Sequence, residues 1–97
     1  MPAPGYVSKI TVASVAATAV IVQSATTRRV VVGEDPSVSG WPTTDFLVMR
    51  PTLNNAARRV PAGEVYTFEG LSPFPIGAVV GYISTVAGST TFFQDEM

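Results

Sequence analysis

The chain has 97 residues, of which 46% are hydrophobic and 13% are charged, and it contains no cysteine and no histidine. A chain of this length forms one domain and buries roughly 60 to 65% of its surface on folding, so it can build a core without disulfides. The lack of histidine and cysteine removes the usual ligands of zinc, copper and iron, the most common general base and the thiolate nucleophile. We therefore predict a protein that is not an enzyme and has no cofactor or catalytic metal.

The charge balance also narrows the choice of partners. Six basic and seven acidic residues give a net charge of -1, which provides no electrostatic reason to bind nucleic acid or an anionic membrane. Typical soluble domains carry about 25% charged residues, roughly twice the share found in this chain. The sequence therefore predicts a protein with uncharged surface that neighbouring proteins cover.

The composition favours strands over helices. Thirty residues are Val, Ile or Thr, whose branched side chains fit a pleated strand better than a helix. Turn-forming residues recur about every dozen positions, which is the spacing of short strands in a sandwich or barrel. The apolar run 10–22 resembles the core of a secretory signal but is too short to span a bilayer, and we favour strands there. We predict an all-β protein with a single small antiparallel domain of about seven short strands, either a sandwich or barrel-like.

The first half of the chain is predicted to contain four strands. Residues 1–6 have the composition of a flexible N-terminal arm, and residues 7–97 form the β domain. The predicted strands are 7–13, 18–23, 28–32 and 45–50, with a bulge or tight turn near residues 13–16. Three consecutive valines starting at Val30 predict a central strand that is covered on both faces or buried at an interface. The Gly- and Pro-rich stretch 33–44, which carries Trp41, is predicted to be a loop.

The second half repeats this pattern. The connection 51–59 contains the turn signal Asn54-Asn55 and has room for one helical turn at 56–59. A tight turn at Pro61-Ala62-Gly63 leads into a predicted strand at 64–69. The remaining predicted strands are 77–85 and 89–94, and we expect a hairpin turn at Ala87-Gly88 between them.

The acidic residues give little sign of catalysis. We interpret Glu34-Asp35 as a solvated loop pair, because adjacent side chains point apart and the spacing does not suit a calcium or magnesium site. Asp45, Glu64 and Glu69 are the other internal carboxylates. A glycosidase-like pair among those three is the weakest of our interpretations, because nothing in their spacing supports it.

Arginine pairs and aromatic residues are the candidates for protein contacts. Neighbouring residues on a strand face opposite sides, so Arg28-Arg29 and Arg58-Arg59 each place one guanidinium on a given surface, for edge protection or for binding a partner. The single tryptophan, Trp41, either plugs the end of the core, which we favour, or anchors a partner or a sugar ring. The predicted interface residues are Tyr6, Arg28, Arg29, Trp41, Arg58, Arg59, Tyr66 and Phe93.

The order of these elements resembles that of small structural proteins of tailed bacteriophages, which are capsid decoration (cement) or head and tail accessory subunits. The elements that carry the resemblance are the Ala/Thr/Val strand 17–20, the arginine pair opening the Val-rich strand 28–32, the apolar strand 46–48, the Pro-Ala-Gly turn before the aromatic strand 61–66, the Gly-Ala-Val run 77–79, and the final turn 87–89 with Glu96 near the terminus. The stretch 33–44 is longer than the short turn of that pattern. The resemblance implies a small β-sandwich or barrel-like subunit that has no catalytic residues and binds a shell in many copies.

The resemblance also implies partners and a location. We expect the chain in the virion as a decoration subunit, in contact with the major capsid protein or other virion subunits and with further copies of itself. The arm 1–6 and the tail 94–97 are expected to lie on a neighbouring subunit. The alternative is a carbohydrate- or receptor-binding module of a head fibre or tail, with Trp41, Tyr66 or Tyr82 as a stacking platform.

Overall fold

The computed structural model describes residues 6–14, 16–42, 44–50, 57–86 and 88–97. Within these ranges the chain forms eight strands and one short helical turn. In chain order they are β1 (Tyr6–Val12), β2 (Thr18–Ile21), β3 (Arg29–Glu34), α1 (Pro36–Ser39), β4 (Phe46–Met49), β5 (Arg58–Val60), β6 (Val65–Glu69), β7 (Val79–Thr85) and β8 (Thr90–Glu96).

The strands make two four-stranded antiparallel sheets. The first sheet has the order β1-β8-β3-β6 and the second has the order β2-β7-β4-β5. Among the described strands no ladder joins one sheet to the other, so the fold is a sandwich and not a barrel. The predicted all-β antiparallel architecture is confirmed, and the choice between sandwich and barrel is settled in favour of the sandwich.

Most connections cross from one sheet to the other. The irregularity predicted near 13–16 is the first crossing, from β1 to β2. The predicted tight turn is confirmed, since the Glu64 N–H donates to the Pro61 carbonyl (3.1 Å) and Gly63 has a φ of 86°. The predicted hairpin at Ala87-Gly88 is wrong, because β7 and β8 lie in different sheets; Ala87 itself is outside the described residues.

The structure corrects two further local predictions. A helical turn at 56–59 is wrong for the described part of that stretch, because Arg58–Val60 pairs with β4 as a strand and buries Val60. The stretch 33–44 is not all loop: β3 continues through Glu34, and α1 follows it. The Asp35 side chain accepts from the Ser37 N–H (3.0 Å) and so caps α1.

The first strand begins one residue before the predicted start of the β domain. Tyr6 is the first residue of β1 and lies opposite Glu96 of β8 in the ladder. The other residues predicted to form an arm, 1–5, are outside the described residues. The apolar run 10–22 supplies parts of β1 and β2, and among the described residues no helix is long and apolar enough to cross a membrane.

Side chains from both sheets fill the space between them. The buried hydrophobic residues are Val12, Val20, Val22, Val30, Val32, Phe46, Val48, Val60, Val80, Ile83 and Phe92. Phe46 of the second sheet and Phe92 of the first meet edge to face, with ring centroids 4.9 Å apart and an interplanar angle of 83°. The valine run lies in a central strand, as predicted, and β3 buries Val30 and Val32 inside the sandwich. Coverage of both faces is not seen in the described structure, because Val31 on the outer face is half-buried.

A glycine in β7 makes room for an aromatic ring of the opposite sheet. A Cβ atom placed on Gly81 would lie 2.3 Å from Cε1 of Phe68 and 2.8 Å from the Met49 carbonyl oxygen. The register of β2 against β7 shifts beside this glycine, between Val20 and Ile21. Glycine is therefore required here by close approach of the ring.

A buried carboxylate organises the end of the sandwich where β8 finishes. Glu96 is 2% exposed, and its oxygens accept hydrogen bonds from the Gln23 N–H (2.9 Å), the Ser24 N–H (3.0 Å), the Thr27 hydroxyl (2.7 Å) and the Gln94 side-chain amide (2.6 Å). Gln94 also donates to the Ile21 carbonyl (2.7 Å). The expectation that 94–97 lies on a neighbouring subunit is wrong, because Gln94 and Glu96 belong to a central strand and are buried in their own chain.

The first prediction concerns this carboxylate. Glu96→Gln replaces one acceptor oxygen with an NH₂ group that faces N–H and O–H donors, so we expect it to lower the free energy of unfolding by about 2 kcal/mol. Urea unfolding measures the change. The control is Asp95→Asn on the outer side of the same strand, for which we expect less than about 0.5 kcal/mol. Equal stabilities of the two variants would contradict the central role of Glu96.

The second prediction concerns Gly81. Gly81→Ala places a methyl group against the Phe68 ring and should destabilise the fold by about 1 to 3 kcal/mol through overpacking. Combining it with Phe68→Leu should cost less than the sum of the two single changes, because the shorter side chain vacates the space. Additive effects in a double-mutant cycle would show that the two residues do not compete for space.

Candidate functional site

The outer face of the second sheet is apolar. Strand alternation turns Val20, Phe46, Val48 and Ile83 inward, and so it turns the residues between them outward. In register, Ala19, Tyr82 and Met49 form one row, Leu47 and Ser84 form the next, and Ile21 pairs with Val79. We call this surface the apolar face: Ala19, Ile21, Leu47, Met49, Val79, Tyr82.

Charge is confined to the edge of the apolar face. Among the described strand residues of the second sheet, the outward positions include one charged side chain, Arg59 of β5. Its guanidinium is bonded to Asp45, with Nε 2.8 Å from Oδ2, so the pair has no net charge. The face therefore offers a partner surface that costs little to dehydrate.

The outer face of the first sheet differs in character. It carries Lys9, Arg29, Glu69 and Asp95 beside the exposed Val7 and Val65, with the Arg29 Nε 3.4 Å from a Glu69 carboxylate oxygen. This mixture of both charge signs is typical of a solvated surface.

At one end of that face the structure forms a hollow of about 250 Å³. We call it the Trp41 hollow; its lining residues are Glu34, Pro36, Trp41, Pro42, Gly63, Glu64, Val65 and Phe93. Trp41 is 86% exposed, so the prediction that it plugs the core is wrong. The interior is already filled by aliphatic residues and the Phe46–Phe92 pair, and α1 and the turn at Gly40 lead the chain away from it.

The Glu34-Asp35 pair lies at the base of this region, and both residues are buried. The prediction of a solvated loop pair is therefore wrong. Glu34 accepts from the Thr44 N–H (3.2 Å) and the Thr90 hydroxyl (3.2 Å). Asp35 accepts from the Lys9 ammonium and from Ser37, and these bonds hold the pKa of Asp35 below its ordinary value, the Lys9 bond contributing most.

The predicted interface residues are distributed over several surfaces. Trp41 and Phe93 are brought together in the Trp41 hollow. The Arg58 guanidinium lies 6.0 Å from the Tyr66 ring centroid, where edge strand β5 meets edge strand β6.

The remaining predicted interface residues lie apart from these two pairs. Arg59 binds Asp45, and Arg29 pairs with Glu69 on the mixed-charge face. Arg28 is exposed, and its backbone N–H donates to the Met97 carbonyl (2.8 Å). The interface prediction for the side chain of Tyr6 lies outside the described part of the structure.

Sequence reasoning missed the apolar face. The run Phe46-Leu47-Val48-Met49 is apolar at all four positions, so its alternation does not show which pair points inward. The only sign of this surface in the sequence was a strand with apolar residues on both of its faces. The register with β7 supplies the missing information, because it groups Leu47 and Met49 with Tyr82 and Ala19.

The carboxylates considered for catalysis have separate surroundings. Asp45 accepts from Arg59 and from the Ala62 N–H (2.9 Å), and the Arg59 bond is the main cause of its lowered pKa. Glu69 faces Arg29, and Glu64 lines the Trp41 hollow. Within the described ranges, no three Asp or Glu side chains gather closely enough to hold a metal ion.

Comparisons with protein-family models, with curated proteins and with solved structures find no match for this chain. Its function is therefore inferred from its own surfaces, the apolar face and the Trp41 hollow.

The third prediction follows from the two aspartates. Their pKa values in the folded state lie below the ordinary value of 3.8, so folding favours their ionised forms. Their contribution to stability is complete above about pH 4 and is lost as the pH falls through the lowered values. The urea concentration at the unfolding midpoint, measured between pH 7 and pH 2, should decrease in this acidic range. Asp35→Asn should flatten that fall, and an unchanged slope would contradict the assignment.

Proposed function

We propose that this chain is a non-enzymatic structural subunit of a virion, in which it decorates and stabilises the head shell in many copies. The observation that carries the proposal is the apolar face, six uncharged side chains on the outward side of one sheet, of which Ile21 is exposed and the other five are half-buried, with a neutralised ion pair at its edge. The resemblance of the element order to small phage structural proteins supports the choice of a virion as the assembly.

The physical properties of the apolar face suit permanent attachment. A contact made by apolar area gains its free energy from removing that area from water, and salt does not screen it. Exposed ion pairs would contribute little and would weaken at high ionic strength. A shell subunit that must stay bound over a range of salt concentrations is therefore held better by apolar contacts than by exposed ion pairs.

The sandwich supplies a rigid support for that contact. Each row of the apolar face runs across hydrogen-bonded strands, so its side chains are held in fixed register. Preorganised side chains lose little conformational entropy on binding, which leaves more of the burial energy for attachment. Repeated over many copies, a modest contact per subunit adds up to a strong effect on the shell.

The alternative, a carbohydrate- or receptor-binding module, has weaker support. Tyr66 packs edge to face with Phe68, with ring centroids 4.9 Å apart, against the core side of its sheet. Tyr82 lies on the apolar face and Trp41 lies in the hollow. The three aromatic residues therefore occupy different surfaces and do not form one stacking platform.

The fourth prediction tests attachment through the apolar face. Met49→Glu places a charge that would be buried at the contact, so we expect occupancy on the particle to fall at least about tenfold. Co-sedimentation with particles from the native source, in low and in high salt, measures the occupancy. Wild-type protein should stay bound in hundreds of copies at both salt concentrations.

The matched control is Thr67→Glu, an exposed position on the outer face of the first sheet. It adds the same charge and should leave occupancy unchanged. Thermal unfolding of both variants checks that the fold persists. Equal loss of binding by both variants, or salt-sensitive attachment of the wild type, would contradict the proposal. A protein that never sediments with a particle would reject the virion role.

A further inference from the structure

We infer that two copies of this chain pair through the free edge of β6 and form a two-fold symmetric dimer with a continuous eight-stranded sheet. The inference goes beyond the proposed function and does not require it, because the apolar face lies on the other sheet. It rests on an unprotected strand edge, on backbone groups directed outward, on a self-complementary register and on opposite charges at the ends of the contact.

β6 is an edge strand without the usual protection against pairing. Edge strands are commonly protected by lysine, by proline, by a bulge or by short length. β6 has five residues, Val65–Glu69, with neither lysine nor proline, and its ladder with β3 runs without a register shift. Among the described strands, each of the other three edges is protected: β1 carries Lys9, β2 has a register shift between Val20 and Ile21, and β5 has three residues. β6 is therefore the edge most open to a further strand.

Hydrogen bonds at the start of β3 show which way its backbone groups point. The Arg29 N–H donates to the Met97 carbonyl (3.0 Å), and the Met97 N–H donates to the Arg29 carbonyl (2.9 Å), so Arg29 directs its groups toward β8. Its neighbours Arg28 and Val30 then direct theirs toward β6, because the direction alternates along an antiparallel ladder. The Gly70 N–H accordingly donates to the Arg28 carbonyl (2.9 Å).

The same alternation identifies the groups on the free side of β6. Phe68 lies opposite Val30 and turns its backbone groups toward β3, so Val65, Thr67 and Glu69 turn theirs away from the sheet. Among the described residues no strand pairs with this side of β6. Three N–H and three carbonyl groups are therefore available to a strand that adds to the sheet.

A second copy of β6 fits this edge with two-fold symmetry. An antiparallel pair centred on Thr67 sets Thr67 opposite Thr67 of the second copy and Val65 opposite Glu69 of the second copy. All the outward N–H and carbonyl groups then have partners. Glu69 is the one charged residue of β6 and lies opposite a valine, so no like charges meet within the strand pair. The contact also closes, because it leaves no free β6 edge on which further copies could add.

The two ends of this contact bring opposite charges together. Continued by one residue, the register sets Glu64 of one copy opposite Gly70 of the other, and Gly70 is bonded to Arg28 in the next strand. Glu64 and Arg28 are exposed, and within the described ranges neither has an ion pair in its own chain. Because glycine has no side chain, the two charged side chains can meet across it. Two-fold symmetry forms this pair twice, which favours a second copy as the partner.

Apolar residues beyond the strand also come together in this register. One residue further along, the fully exposed Leu71 of one copy comes close to Gly63 of the other, in the lining of the Trp41 hollow. The loop that carries Leu71 is held in place, because the Phe74 N–H donates to the Thr27 carbonyl (2.7 Å) and the Phe74 ring packs against the core. A loop fixed in this way loses little conformational entropy when its apolar surface is buried.

Sedimentation equilibrium of the purified full-length protein tests the dimer. The mean mass should rise with concentration from 10.2 kDa to twice that value, with a dissociation constant on the order of 10 to 100 µM. Thr67→Glu sets two like charges opposite each other at the two-fold axis and should weaken the dimer at least about fivefold. Met49→Glu adds the same charge on the apolar face and should leave the dimer unchanged.

The two variants also separate the dimer from attachment to a particle. We expect Met49→Glu to lose attachment and keep the dimer, and Thr67→Glu to keep attachment and lose the dimer. A dimer that is lost in Met49→Glu and kept in Thr67→Glu would overturn the β6 contact in favour of pairing through the apolar face. A mass that stays at 10.2 kDa up to about 1 mM protein would also overturn it.

A cysteine substitution tests the register, because the chain has no cysteine of its own. In a hydrogen-bonded antiparallel pair the opposite Cα atoms lie about 5.5 Å apart, which a disulfide can bridge. Thr67→Cys should therefore form a disulfide-linked dimer under mild oxidation with diamide, which takes one electron and one proton from each thiol. The control is Thr11→Cys, exposed on edge strand β1 of the same sheet, which should stay monomeric. Equal rates of cross-linking in the two variants would overturn the proposal.

Discussion

The fold depends on how the buried carboxylate of Glu96 is satisfied. β8 is a central strand of the first sheet, and its last inward residue receives hydrogen bonds from the loop that carries the chain from β2 in one sheet to β3 in the other. An acceptor-only group in that position orders several donors of the loop at once. It therefore fixes where β3 enters the first sheet and holds the two sheets in register at this end of the sandwich.

The opposite end uses the same device with different residues. Glu34, the last residue of β3, accepts from Thr44 and Thr90, and Asp35 next to it caps α1 and binds Lys9. Both ends of the β3–β8 pair are thus closed by buried acids with bonded partners. The interior can then be built almost entirely from valine, isoleucine and phenylalanine, because the polar requirements are met at the ends.

This arrangement separates the two surfaces that bear on function. The outer side of the second sheet holds no buried acid among the described residues, and its outward positions are apolar apart from Ser84 and, at the edge, Arg59. The first sheet carries mixed charge and ends in the Trp41 hollow, where α1 turns the chain outward. A subunit built in this way can attach to an assembly by one sheet and leave the hollow on the other sheet open to solvent.

The sequence alone determined the properties that depend on neighbouring residues. The abundance of Val, Ile and Thr and the spacing of turns predicted an all-β antiparallel domain, three consecutive valines predicted a central strand, and Pro61-Ala62-Gly63 predicted a tight turn. These follow from side-chain shape and backbone conformation within a few residues. The short strand Arg58–Val60 was not predicted from the sequence, because so short a segment becomes a strand only through pairing with its partner β4.

Tertiary structure decided everything that depends on which strands are neighbours. Strand pairing places β7 and β8 in different sheets. It also determines that Leu47 and Met49 point outward from a strand that is apolar on both sides. Glu34 and Glu96 are buried because the tertiary structure surrounds them with hydrogen-bond donors that are distant in sequence. It also left Trp41 in solvent, because the core was already full. Such choices rest on contacts between residues far apart along the chain, and local sequence patterns do not record them.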